Sequence, residues 1–172
     1  MKYYFKKFIL ITAILSLMLG SCSDSGDKNN NEGEDIGPVG ELDNAGLTTI
    51  KEFVLSQAYS QWTAQPSVQA ATGNSPHGAA RVFFNDTLVQ ALQSNTTIMP
   101  KGSIVVKEIY EADLTTLKGF ALDAKIKDGE GPNTWIFYEG FTPNHNNYHG
   151  IGLSTCTGCH STGTDYLRTL LP

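Results

Sequence analysis

Ser103-Ile104-Val105-Val106-Lys107-Glu108-Ile109-Tyr110 is the stretch on which the fold turns. Four β-branched residues in eight, entered through the turn signal Pro100-Lys101-Gly102, predict a strand. Side chains alternate across a strand, so Lys107 shares one face with Val105 and Ile109. A lysine on an otherwise apolar face must snorkel to water or find a partner.

Working outward, Leu117 to Lys127 reads as a second strand. Asp128-Gly129-Glu130-Gly131-Pro132 makes a turn, and Trp135 to Phe141 is a third strand. Upstream, Ala79 to Phe84 is a short strand candidate. Asn85 or Asp86 can cap a short helix carrying Leu88, Val89 and Leu92. Leu47, Ile50, Val54, Ala58 and Trp62 recur at helical spacing, which predicts an amphipathic helix over 46–62 with Pro66 beyond its end. Helices before and after a run of strands predict an α+β fold, mainly an antiparallel β-sheet with flanking helices.

Near the C-terminus stands Cys156-Thr157-Gly158-Cys159-His160. C-x-x-C-H is the pentapeptide that attaches c-type haem. Two thiols bond the porphyrin vinyl groups, and the adjacent histidine offers its imidazole to the iron. The cofactor expected is therefore one covalent haem c on Cys156 and Cys159, with His160 as axial iron ligand. The motif should open or lie within a short helix, a C-terminal haem-attachment helix, followed by a last turn through Tyr166 to Leu171. The competing readings are a thiol redox pair or half of a zinc site. The first expects a βαβ context and the second another Cys or His pair at ligand spacing; neither is visible in the sequence. Only residues 161–172 follow the motif, and none is Met or His. A second axial ligand would have to come from upstream, where Met99, His77, His145 and His149 are available. Each reads more simply as a surface or turn residue. The expectation is five-coordinate iron with one open face, which suits ligand binding or chemistry more than electron transfer alone.

The N-terminus reads as a targeting segment. Lys2, Lys6 and Lys7 precede an apolar run from Phe8 to Leu19, a length that suits a signal-peptide core. The run ends in Leu19-Gly20-Ser21-Cys22, which resembles the lipobox of bacterial lipoproteins. Residues 1–21 are thus expected to be removed and Cys22 to be lipidated. Residues 22–40 form an acidic, polar tether that cannot bury enough apolar area to fold, and 41–172 form one domain. Cleavage removes three lysines, making the protein more acidic than the −5 formal charge of the full chain. A pI near 5.3 argues against nucleic acid as a partner. The expected location is outside the cytoplasm, membrane-anchored through lipid at Cys22, on the periplasmic side or at the cell surface. Cys156 and Cys159 are too close in sequence to staple the fold by a disulfide.

Four separated segments resemble the cytochrome P-460 family and its relative cytochrome c′-beta. They are His77-Gly-x-x-Arg81-Val-Phe-Phe-Asn85, Pro100-Lys-Gly-Ser-Ile-Val-Val-Lys107-Glu108, Trp135-Ile-Phe-Tyr138 and Cys156-x-x-Cys-His160, and the likeness spans roughly residues 46–170. The resemblance implies a largely antiparallel sheet with flanking helices, often a homodimer, and one haem c near the C-terminus. It implies oxidation of hydroxylamine toward nitrogen oxides, with a redox partner, or capture of nitric oxide and similar diatomics. In the oxidising members a lysine on the Gly-[Ser/Thr]-x-x-x-Lys-Glu strand bonds to a porphyrin meso carbon, and Lys107 occupies the matching place. Those members also place a carboxylate over the open iron face as a base. The matching residue is Asp123, one methylene shorter than the usual Glu. The residue-level alternatives are a solvated Lys107 and an Asp123 paired with Lys125 or Lys107 at the surface. Gas-binding members cap the iron with phenylalanine, for which Phe83, Phe84, Phe120 and Phe137 are the candidates. Three functions therefore stand open: a haem-dependent oxidoreductase, a gas-binding haem protein and an electron-transfer cytochrome.

Overall fold

The computed structural model describes residues 47–72 and 75–172. The leader at 1–21, the lipidation site Cys22 and the linker at 22–40 lie outside these residues. Six strands form one antiparallel sheet in chain order: β1 (Thr63–Ala64), β2 (Ala79–Phe84), β3 (Ile104–Tyr110), β4 (Leu117–Lys125), β5 (Trp135–Phe141) and β6 (Tyr148–Ile151). Among the described residues three α-helices flank it: α1 (Leu47–Ser56), α2 (Asp86–Gln93) and α3 (Ser154–His160). The fold is the α+β class expected, with the C-terminal helix carrying the C-x-x-C-H motif. Among the described residues no helix is long and apolar enough to cross a membrane.

The central pairing is β3 with β4, which sets Lys107 opposite Ala121 and Val105 opposite Asp123. On the far side of β4, Asp123 faces Phe137 and Ala121 faces Glu139. β4 stops at Lys125 rather than Lys127, because the Ile126 and Lys127 amides both turn to the Thr134 carbonyl. The first helix is shorter than its apolar period predicts. Gln57 takes a left-handed φ of 54° and ends it, and residues 57–62 continue as turns. The reason is tertiary: Tyr59 has to enter the core, where its ring packs edge-on against Phe83 and its hydroxyl donates to Glu108. Burial and the Glu108 charge push that phenol well above its ordinary value. The two strands absent from the sequence reading are β1 and β6. Both are short edge strands whose pairing comes from the neighbour rather than from local composition.

Strand alternation gives the sheet two unlike faces. Phe83, Val106, Phe120, Leu122, Ile136 and Tyr138 meet Ile50, Phe53 and Val54 of α1 in one core. Val82, Phe84, Val105, Trp135 and Phe137 meet Leu88 and Ala91 of α2, together with Met99 and Leu167, in the other. Each fully buried large apolar side chain contributes roughly 1.5–3 kcal/mol. α2 and the C-terminal segment cover one end of the second face. Its other end is bordered by α3 and by residues 69–72 and 75–78, and a cavity remains there.

Asn85 ties this architecture together. Its Oδ1 accepts from Leu88 N as a helix cap and from Ile104 N at the start of β3, while its Nδ2 donates to the Gly102 carbonyl. Gly102 makes the turn at φ 96°, a conformation that costs glycine little. Asn85→Ala removes the cap and strands a buried amide, and should cost about 2–4 kcal/mol. Asn85→Asp, which keeps the acceptor, should cost less. Urea denaturation of the two variants beside the parent protein measures the difference.

Candidate functional site

The motif sits on α3, where the Cys156 and Thr157 amides bond back to the Leu153 carbonyl. Helical spacing puts Cys156 within reach of the same space as Cys159 and His160, at i+3 and i+4. Both cysteines are free thiols, Cys156 half-buried and Cys159 exposed. All three side chains line a cavity of about 690 Å³ whose floor is the sheet face carrying Lys107, Ala121 and Asp123. That volume lies in the roughly 300–1,000 Å³ range of cofactor and ligand pockets.

His160 is 5% exposed, with its ring edge-on to Phe137 at 5.3 Å between centroids. Its Nδ1 lies 2.9 Å from the Tyr166 carbonyl. A carbonyl can only accept, so Nδ1 carries the proton and Nε2 keeps its lone pair. Burial, the leading influence, lowers the pKa of this imidazole and favours the neutral, coordinating form. The carbonyl is aimed by an unusual turn: Asp165 and Tyr166 both adopt left-handed φ, at 47° and 66°. Such residues cost on the order of 1–3 kcal/mol each and persist only where their surroundings fix them. Here a buried ion pair does so, Lys125 Nζ to Asp165 Oδ2 at 2.6 Å. Gly163 lets the turn close, since a Cβ there would run into the Leu167 carbonyl.

Lys107 and Asp123 both face the cavity, and neither is solvated. Their side chains are 11% and 8% exposed and stand 4.0 Å apart, Nζ to Oδ2. The same Asp123 oxygen is 3.6 Å from His160 Nδ1. This contact is on the side of the ring turned away from Nε2. In this arrangement the carboxylate acts first on the charge of the imidazole. Lys125 is not its partner, being committed to Asp165 and to the Gly129 carbonyl at 2.7 Å. The phenylalanines do not line the cavity: Phe83 and Phe120 belong to the α1 core, and Phe84 and Phe137 pack in the other core.

Of the four upstream residues able to bind iron, one reaches the cavity. Met99 is buried in the α2 core. His145 packs on Phe120, and His149 pairs with Tyr138, both on the α1 side of the sheet. His77 lines the cavity, with Nδ1 2.7 Å from Glu139 Oε1. These two were missed as a pair by sequence reasoning. A signal existed: Glu139 interrupts the apolar face begun by Trp135 and Phe137, and His77 precedes Gly78, whose φ of 77° turns the chain into β2.

The thiols do not resemble a redox pair. Burial first, then the Asp123 and Glu139 charges, push the Cys156 thiol up to about 11. A dithiol oxidoreductase needs the opposite, a depressed pKa. Among the described residues no group of three or more His, Cys, Asp or Glu is disposed to hold a metal ion. No family model matches this chain, and no curated protein matches it.

In the haem-free protein at pH 8, iodoacetamide should alkylate exposed Cys159 well before half-buried Cys156, whose thiolate is scarce below about 11. Peptide mass mapping over time checks the order. Equal rates would contradict this reading of the thiol environment.

Proposed function

We propose that this chain is an exported mono-haem c protein acting in the redox chemistry of small nitrogen species, hydroxylamine and nitric oxide, in the manner of cytochrome P-460. The observation that supports it is convergence. Cys156, Cys159 and His160 line one cavity with Lys107 and Asp123, which come from strands some 30–50 residues away in sequence. The residues fit the group: two free thiols at the wall of a cavity of about 690 Å³, and one buried imidazole whose Nδ1 meets a carbonyl and leaves Nε2 for a metal. Cys156 and Cys159 would hold haem through thioethers and His160 would ligate its iron. When bound, the haem would supply a redox-active iron able to take up a small ligand.

The protein's own groups have distinct tasks. Tyr166 O fixes the tautomer of His160, and the Asp123 carboxylate beside Nδ1 raises the basicity of the ligand. Asp123 is also the candidate base for a proton from a bound N–H or O–H. Lys107 is the candidate for a covalent bond to the porphyrin edge. The absence of phenylalanine from the cavity lining, among the described residues, supports polar chemistry over passive gas capture. Anchored through Cys22, the protein works on the periplasmic side of a membrane or at the cell surface. It passes electrons to a redox partner, and a homodimer is the expected assembly.

The test is the optical spectrum of the ferrous protein made with haem-attachment machinery. A broad, strongly red-shifted Soret band that reverts to an ordinary haem c spectrum in Lys107→Leu is the expected result. An identical spectrum in that variant would sink the crosslink, and absence of covalent haem would sink the whole reading. Asp123→Ala should lower hydroxylamine oxidation by ~10²-fold or more while sparing nitric oxide binding. A fully active Asp123→Ala protein would remove the carboxylate from the chemistry.

A further inference from the structure

His77 and Glu139 have no task in the reading above, yet they form the tightest polar pair on the cavity wall. His77 Nδ1 and Glu139 Oε1 are 2.7 Å apart, with side chains 19% and 14% exposed. The pair is built from different elements: His77 precedes β2, and Glu139 lies on β5, two strands beyond β3 in the sheet. The carboxylate accepts from Nδ1–H, so His77 Nε2 keeps its lone pair.

His160 is arranged in the same way, with Nδ1 donating to Tyr166 O and Nε2 unengaged. One cavity therefore holds two histidines, each anchored at Nδ1 by an oxygen. An oxygen on the second nitrogen is the outer-shell pattern that orients histidines toward metals. Their ring centroids are 6.3 Å apart with planes at 84°. Two imidazoles binding one ion from opposite sides, through nitrogens at ~2 Å, have centres roughly 6 Å apart. Met99, His145 and His149 are excluded because the fold places them away from the cavity, as described above.

We infer that His77, oriented by Glu139, is the protein's own second axial ligand, occupying the sixth iron position until a small molecule displaces it. This rests on the haem c reading and deepens it, because it makes ligand exchange at His77 the entry step for nitric oxide or hydroxylamine. Position supports displacement. His77 stands on a loop, beside Gly78 at positive φ, and not within a strand. Glu139 strengthens the imidazole as a donor, which favours the oxidised iron and should hold the midpoint potential down.

The experiment uses the full chain with haem attached, first assayed for covalent haem by the pyridine haemochrome. Ferric optical and electron paramagnetic resonance spectra then report spin state. The wild type should be low-spin and six-coordinate. His77→Ala should lose the low-spin signal for a high-spin one, and added imidazole should restore it. Glu139→Gln should stay low-spin with a raised midpoint potential. A high-spin wild type, or a His77→Ala protein with haem attached and the wild-type spectrum, would overturn the inference while leaving the haem reading intact. No covalent haem in the wild type would overturn both. His77→Asn, a closer match in size and polarity, gives the same readout should His77→Ala fail to fold.

Discussion

The buried Lys125–Asp165 ion pair is the constraint on which the site depends. Lys125 is 0% exposed and lies on β4 among apolar side chains, with its ammonium 5.2 Å above the Trp135 ring. A charge there is tolerated only where opposite charge and acceptors meet it. Asp165 Oδ2 at 2.6 Å and Gly129 O at 2.7 Å meet two of them. The same Asp165 oxygen accepts from Met99 N at 2.9 Å. Three stretches of chain far apart in sequence are thereby joined at one point: the approach to β3, β4 with the turn that follows it, and the segment after α3. Replacing such a pair by apolar residues is often neutral in stability, while leaving one charge unpaired costs roughly 3–5 kcal/mol. Its use here is register. It pins Asp165 and Tyr166 in left-handed backbone, and the Tyr166 carbonyl then meets His160 Nδ1.

The cavity follows from the same economy of covering. The α1 face of the sheet is closed by three apolar helix residues and a ring of aromatics around Phe53 and Tyr59. The opposite face is closed only at the end where Val105, Trp135 and Leu167 meet α2. Where Lys107, Asp123 and Glu139 interrupt the apolar alternation, packing against an apolar helix would strand charges. Instead α3 and residues 69–72 and 75–78 border the gap and leave space. Polar strand positions that would be defects in a core become the wall of a site.

Much of the fold was legible locally. β2, β3 and β5 follow β-branched and aromatic runs between turn signals. The Asn85 cap was readable from its type and place before Leu88. The motif helix was readable from the spacing of Cys156, Cys159 and His160. The site was legible residue by residue but not as an assembly. Lys107 was suspect because its strand face is otherwise apolar, and it proved buried beside Asp123. His77 looked like a turn residue because its role depends on Glu139, 62 positions away. The overlong first helix shows the same limit from the other side. Ala58 and Trp62 keep the helical period, yet residues 57–62 run as turns because Glu108 and Phe83 draw Tyr59 into the core.

The sequence by itself determined the class of the fold, the strand on which Lys107 lies and the C-x-x-C-H pentapeptide. These rest on interactions within a few residues: alternation, turn chemistry, capping and fixed spacing. Only the tertiary structure decided which side of His160 meets Asp123, that His77 alone of the upstream candidates reaches the cavity, and that Lys125 belongs to Asp165. Each of those outcomes depends on strand register and sheet face. A shift of one residue in the β3–β4–β5 pairing would send Lys107, Asp123 and Glu139 into the α1 core. That register is set by burial summed over the whole sheet, a quantity no short stretch of sequence contains.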